Sequence, residues 1–264
     1  MRTYRVGLAT TSLRVLDAEG PGEPLVVAHG VGSSARFVID AFARPLADAG
    51  WRVVSFDARG HGDSAPGRRS TDHRLETWAE DLWAVARDVD ARAVGGVSLG
   101  AHAAVMVASE APHEVDVALA CIPAWTGRAV PGDGPHAAVA AAVREVGIAA
   151  LIAGFHTDED LPEWLRRVLI RDWSAADRPS LAYALQTLDG GLAPTEAELR
   201  GLTVPLAVIG WPDDPGHPLD VARSWADWAP RATLETIDID DLDNDIELFG
   251  AAAARGLLRL SLAS

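Results

Sequence analysis

Ser98 stands in the run Gly95-Gly96-Val97-Ser98-Leu99-Gly100, whose core has the form Gly-x-Ser-x-Gly. A serine hydroxyl is a poor nucleophile unless a neighbouring base takes its proton during attack. The glycine spacing serves that chemistry when it falls between a strand and a helix. There the chain must reverse sharply, which forces the serine into a strained conformation. The flanking glycines let adjoining backbone approach the turn without collision. The N-terminus of the following helix favours negative charge nearby. A second group lies in Gly210-Trp211-Pro212-Asp213-Asp214-Pro215-Gly216-His217-Pro218. Three residues separate the Asp214 carboxylate from the His217 imidazole, so their Cα atoms are at most ~10 Å apart. Prolines on both sides and a glycine joint allow the imidazole to lean toward a distant hydroxyl.

These groups need a scaffold, and the hydropathy pattern supplies one. Short apolar runs at 4–8, 12–16, 25–29, 52–57, 93–97, 115–122, 204–210 and 233–239 read as strands. Helical periodicity over 37–49, 75–89, 99–111, 219–229 and 246–260 alternates with the later ones. Strand–helix alternation predicts a mostly parallel eight-stranded sheet flanked by helices. The two N-terminal runs are polar on alternate residues and closely spaced, which predicts an antiparallel pair at the sheet edge. From about 125 to 195 no strand is legible, and helical patterns at 136–154, 161–170 and 178–188 are separated by Pro, Gly and Asp breaks. That stretch is expected to be a helical cap on a single domain, 1–264, whose core comprises 1–124 and 196–264.

Composition narrows the chemistry further. The formal charge is −15, and so acidic a surface repels phosphate backbones, which argues against nucleic acid as a partner. All 23 basic residues are Arg, so Schiff-base lysine chemistry is excluded. Cys121 is the single cysteine, so neither an intramolecular disulfide nor a cysteine metal cluster is available. No signal-like N-terminus and no long apolar span is legible. The expectation is a cytoplasmic protein with a small-molecule substrate, no cofactor, no metal and no membrane partner.

The motifs together resemble the α/β-hydrolase family over nearly the whole chain. Besides the Ser98 elbow, His29-Gly30-Val31-Gly32 closes the third strand, where that family has its oxyanion loop. Asp57-Ala58-Arg59-Gly60-His61-Gly62-Asp63-Ser64 is similar to the family's turn after the fourth strand, and Gly210–Pro215 to the loop bearing its acid. The resemblance implies oxyanion-hole amides from Val31 and Leu99, and Asp214 as the acid, with Asp213 as the fallback. It also implies a wall for the substrate pocket just beyond strands six and seven, where Trp125 and Trp211 fall; His156 of the cap is a further candidate there. For both tryptophans core packing is the equal alternative. His29 and His61 are expected to brace backbone, and His102 to pack against the sheet. Arg59 and Asp63 are expected to pair structurally with each other, and His73, His113 and His136 to lie in solvent.

One family element is missing. The resemblance calls for a histidine after the last strand, but no histidine follows His217, and Asn244 stands about where one belongs. Three readings stay open: His217 stands in as the base; hydrolysis is lost, leaving a ligand-binding pseudoenzyme; or a base comes from His156, Asp243 or Asp245. The first leads to a serine hydrolase acting on an ester or related acyl bond of a small apolar compound, with Ser98, Asp214 and His217 as its catalytic residues.

Overall fold

Runs of Val, Leu, Ile and Ala too continuous for a half-solvated strand become the centre of the sheet. In the computed structural model, which describes residues 1–125, 127, 135–190 and 193–262, eight strands form one sheet. They are β1 (Arg2–Gly7), β2 (Ser12–Asp17), β3 (Glu23–Ala28), β4 (Trp51–Phe56), β5 (Ala93–Val97), β6 (Val117–Cys121), β7 (Leu206–Gly210) and β8 (Ala232–Thr236). Their order is β1-β2-β4-β3-β5-β6-β7-β8. β1 pairs antiparallel with β2, and β2 antiparallel with β4; the remaining pairs are parallel. All eight strands expected from the sequence are present, with ends shifted by up to three residues.

The apolar continuity has a direct cause: both faces of the sheet are covered. Val26 and Ala28 of β3 and Leu206 and Val208 of β7 point into one apolar cluster, with Leu82, Val105 and Trp225. Leu25 and Val27, and Ala207 and Ile209, point into the other, with Phe42, Phe249 and Leu257. The first cluster is closed by α2 (Leu75–Asp88), α3 (Leu99–Glu110) and α9 (Leu219–Trp228), the second by α1 (Ala35–Asp48) and α10 (Glu247–Leu262). Each fully buried Leu, Ile or Val contributes about 1.5–3 kcal/mol relative to exposure.

Between β6 and β7 the chain forms α4 (Pro135–Glu145), α5 (Ile148–Thr157), α6 (Glu163–Ser174), α7 (Arg178–Leu188) and α8 (Glu196–Arg200). The helix expected over 136–154 is two helices, because Gly147 takes φ 86° and turns the chain between them. The short α8 escaped the periodicity, although its Thr195–Glu198 capping box was legible: the Thr195 hydroxyl accepts from the Glu198 amide at 3.2 Å and Glu198 Oε2 accepts the Thr195 amide at 2.6 Å. Among the described residues no single helix is long and apolar enough to cross a membrane.

These helices are fastened to the core at several points. The Asp177 amide donates to Gly60 O (2.8 Å), the Ser180 hydroxyl to Gly67 O (3.1 Å) and the Thr187 hydroxyl to His73 O (2.9 Å). His73, expected in solvent, is therefore fully buried beneath α7, with its ring stacked on Tyr183.

Glycine is mandatory at the end of β5. A Cβ on Gly96 would lie 2.0 Å from the Gly100 carbonyl carbon, and one on Gly100 would lie 2.5 Å from Ala28 O. Both obstacles are backbone, so neither can turn aside. Gly96→Ala is expected to cost about 3 kcal/mol, the upper range for overpacking, read as a fall in the denaturant midpoint at unchanged m-value; an unshifted midpoint would refute this packing.

Candidate active site

Ser98 sits between the last residue of β5 and the first of α3 with φ 53° and ψ −119°, a conformation costing a non-glycine residue about 1–3 kcal/mol. The strain is held from both sides. The Ser98 amide donates to Cys121 O on β6 at 2.9 Å, and its carbonyl accepts from Ala101 N at 2.9 Å. Ser98 is partly exposed and not buried in the sheet.

Facing it across the sheet edge is the loop His29–Ser34. A Cβ on Gly30 would come within 3.1 Å of Ser98 Cβ, so a side chain there would crowd the serine. Two buried imidazoles hold it. His29 Nε2 accepts the Ala58 amide at 2.9 Å while its Nδ1–H donates to Gly30 O at 2.6 Å. His61 Nε2 accepts the Gly32 amide at 3.1 Å while its Nδ1–H donates to Arg59 O at 3.1 Å. Burial keeps both below the ordinary histidine range, so they stay neutral and keep the tautomer that these bonds need. They brace backbone, as expected. Asp57 completes the frame by accepting the Ala35 amide at the start of α1. Arg59 and Asp63 do not pair with each other: Arg59 forks onto Asp81 at 2.8 Å and Asp63 meets Arg14 at 3.2 Å. Among the described residues, the Val31 and Leu99 amides have no protein acceptor.

The turn after β7 brings the second group in. Asp213 takes φ 62°, a left-handed position that Asp tolerates better than most side chains. The His217 amide then closes on Asp214 O at 3.2 Å. Asp214 Oδ1 accepts the Gly216 amide at 2.7 Å; its Oδ2 accepts both the Trp211 indole N–H at 2.9 Å and His217 Nδ1–H at 2.7 Å. His217 Nε2 lies 2.9 Å from Ser98 Oγ. Burial pushes the Asp214 carboxyl up, but the bonds from His217, Trp211 and Gly216 outweigh it and bring the group down to about 2. Asp214 is thus ionised at neutral pH and fixes the proton on Nδ1, which leaves the Nε2 lone pair for the serine hydroxyl. Its contribution to stability is present above the ordinary carboxylate value and is lost as pH falls through about 2.

Other candidates fall elsewhere. His156 is exposed at the end of α5, whose packed face is Ile148, Leu151, Ile152 and Phe155. Asp213 is exposed, and its carboxylate has no partner among the described residues. Asp243 is committed to α6, accepting the Trp164 amide at 2.6 Å, while the Trp164 indole donates to Ile239 O at 3.2 Å. Asp245 caps Glu247 N at 3.0 Å, and Asn244 is exposed. Among the described residues, His217 is the only one of the bases weighed that reaches Ser98.

Trp211, for which pocket wall and core packing were equal expectations, is 3% exposed and gives its N–H to Asp214; the large apolar residue after a strand offered no hint of that partner. Trp125 stacks on His102 with ring centres 3.6 Å apart and borders a cavity of about 340 Å³ with Leu75, Thr187 and Ala193. His102 is buried and neutral, with burial pulling it down to about 3. Nothing in local pattern signals that Asp172 and Trp173, at the end of α6, touch the His29–Ser34 loop. The Ser33 hydroxyl donates to Asp172 at 3.4 Å, and the indole nitrogen of Trp173 would lie 2.5 Å from a Cβ on Gly32.

Comparison with known proteins agrees with this architecture. The pattern of the serine aminopeptidase S33 family, a group of α/β-hydrolases, matches residues 20–167, more than half of the chain. The chain belongs to this α/β-hydrolase family. A segment of 118 residues is 34% identical to a protein of Mycobacterium phage D29 named as a non-heme haloperoxidase, covering 44% of this chain and 38% of that relative. Solved α/β-hydrolases superpose along nearly their whole length. A carboxylesterase from Nitrososphaera gargenis does so with a TM-score of 0.81 at 15% identity, covering 99% of this chain and 100% of its own. An enol-lactonase from Burkholderia xenovorans gives 0.77 at 19%, covering 98% and 100%. A hydrolase from Pseudomonas aeruginosa gives 0.76 at 22%, covering 97% and 98%. At these identities the likeness is one of fold, so the chemistry of this α/β-hydrolase rests on its own residues.

Proposed function

We propose that the chain is a cofactor-independent serine hydrolase that cleaves an ester, or a related acyl bond, of a small apolar substrate. One observation carries the reading: the hydroxyl of a strained, partly exposed serine lies 2.9 Å from an imidazole that is itself held at 2.7 Å by an ionised carboxylate. As Ser98 Oγ attacks the carbonyl carbon, its proton passes to His217 Nε2. Asp214 holds the imidazolium so formed, and the oxygen that gains charge is received by the Val31 and Leu99 amides, which have no other acceptor among the described residues. The proton then goes to the leaving alcohol. Water, deprotonated by the same imidazole, attacks the acyl-enzyme and frees the acid. Trp125, whose ring packs on His102 one helical turn past Ser98, borders a cavity that Leu75 and Ala193 make apolar on one side and Arg74 and Glu76 make charged on the other, and its apolar side is the surface offered to a small acyl or ring group.

The resemblance in fold to a carboxylesterase and an enol-lactonase fits ester chemistry. The His217 arrangement disfavours the ligand-binding alternative, since a passive pocket gains nothing from an imidazole held between a carboxylate and a strained hydroxyl. The test is covalent. A fluorophosphonate is expected to label the protein with one-to-one stoichiometry, and peptide mapping should place the adduct on Ser98. Protein that stays unlabelled, or is labelled elsewhere, would overturn the assignment.

A further inference from the structure

Asp214 Oδ2 is shared between two donors, and the second has no part in the proton relay. The Trp211 indole N–H lies 2.9 Å from the oxygen that accepts His217 Nδ1–H at 2.7 Å. Trp211 is not free to adjust. Its ring meets Trp164 of α6 edge-on at 6.1 Å between centres, lies tilted against Phe249 of α10 at 5.2 Å, and stands at 87° to the His217 ring. The core therefore fixes the direction of its N–H.

We propose that Trp211 is a positioning residue that fastens the Asp214–His217 turn to the core and, by sharing Oδ2, limits how tightly Asp214 holds a proton on His217. The proposal rests on the Ser98–His217–Asp214 reading. With acid and base on one short turn, anything that lets the turn swing displaces both. Besides His217, Asp214 has two donors: the Gly216 amide, which belongs to the same turn, and the indole, which does not. The indole thus ties the carboxylate to something outside the turn. A carboxylate oxygen that accepts two N–H groups also offers each of them less charge. Deleting the indole N–H leaves that charge to the imidazole alone and favours the imidazolium.

Few other charges bear on this pair. His102 faces it from α3, and both of its ring nitrogens are occupied, by Ala193 O and the Ala124 amide. Asp213 points outward from the turn. Trp164 and Phe249, packed on Trp211 from α6 and α10, carry no charge.

The experiment is an NMR titration of His217 in ¹⁵N-labelled protein, alongside kcat and KM on a short p-nitrophenyl ester. It compares wild type, Trp211→Phe and a variant with 3-benzothienylalanine in place of Trp211, which keeps the bicyclic ring and lacks only the N–H. Both variants are expected to move the His217 midpoint up by about half a pH unit or more. Both should also lower kcat by about tenfold, with KM within about twofold, the loss of one hydrogen bond to a charged group. A residue that merely fills space predicts a silent benzothienyl variant. A residue that only props the turn predicts a downward midpoint, because the carboxylate contact itself is lost. Either result overturns the proposal. The titration needs no turnover, so a chain that proved inactive on esters would sink the hydrolase reading while the effect of Trp211 on His217 could still be measured. The benzothienyl variant covers the case in which Trp211→Phe fails to fold.

Discussion

Replacing His217 with Ala is expected to lower kcat/KM for ester hydrolysis by about 10⁴-fold or more, leaving only what the amide donors and binding supply. The imidazole is the single group through which every proton transfer of the proposed cycle runs, so no partial route survives its loss. Free imidazole should restore part of the rate by entering the space vacated beside Ser98. Placing a histidine where relatives would carry one, as Asn244→His in the His217→Ala background, is expected to restore nothing. Asn244 is exposed, and the segment around it is occupied otherwise: Leu242 is buried, and Asp243 and Ile239 hold the start of α6 through Trp164. Rescue by Asn244→His would show that the loop after β8 still reaches the nucleophile and that the base has not been relocated.

The proposed placement of acid and base on one turn has a structural logic. When acid and base sit on separate loops, each loop must be positioned independently. Here Asp214 and His217 lie three residues apart on one turn bounded by Pro212 and Pro218, with Pro215 inside it. Proline lowers the conformational freedom that such a turn must give up. The loop after β8 packs against α6 through Asp243 and Ile239. That helix in turn rests its far end on the His29–Ser34 loop through Asp172 and Trp173. A segment without chemistry of its own thereby supports the loop that carries the Val31 amide.

The parts legible in the sequence were those written in local pattern. The strands announced themselves as apolar runs because both sheet faces are covered. The Ser98 elbow did so because backbone surrounds Gly96 and Gly100 too closely for any side chain. The Asp214–His217 pairing was within reach because the two residues share a turn whose span is bounded by chain length. What local pattern cannot carry is direction. Trp211 and Trp125 both follow a strand end, yet one is sealed between Trp164 and Phe249 with its N–H on Asp214, and the other borders a cavity. His73 sits among polar neighbours in sequence but is roofed by α7, a contact between segments about a hundred residues apart. The separation of Arg59 from Asp63 is similar, since Asp81 on α2 offers a bidentate partner that no short-range reading could weigh.

Ser98→Ala is the companion prediction, and its value lies in how it combines with the first. Alone it is expected to remove activity to at least the same extent, about 10⁴-fold or more, because hydroxyl and imidazole act as one unit. For the same reason the double variant with His217→Ala should be no worse than either single change, in contrast to the multiplication expected of independent groups. Additive losses would mean that the two side chains do not work on the same step. A Ser98→Ala protein that kept most of its rate would rule out this hydroxyl as the nucleophile. The backbone gives a separate check on the same residue. The turn, and not the hydroxyl, imposes φ 53°, so Ser98→Ala keeps the strain, whereas Ser98→Gly releases it and should be more stable than Ser98→Ala by about 1 kcal/mol, while being equally inactive. Greater stability joined to lost activity at a single position is the signature of strain maintained for the sake of where it places one oxygen atom.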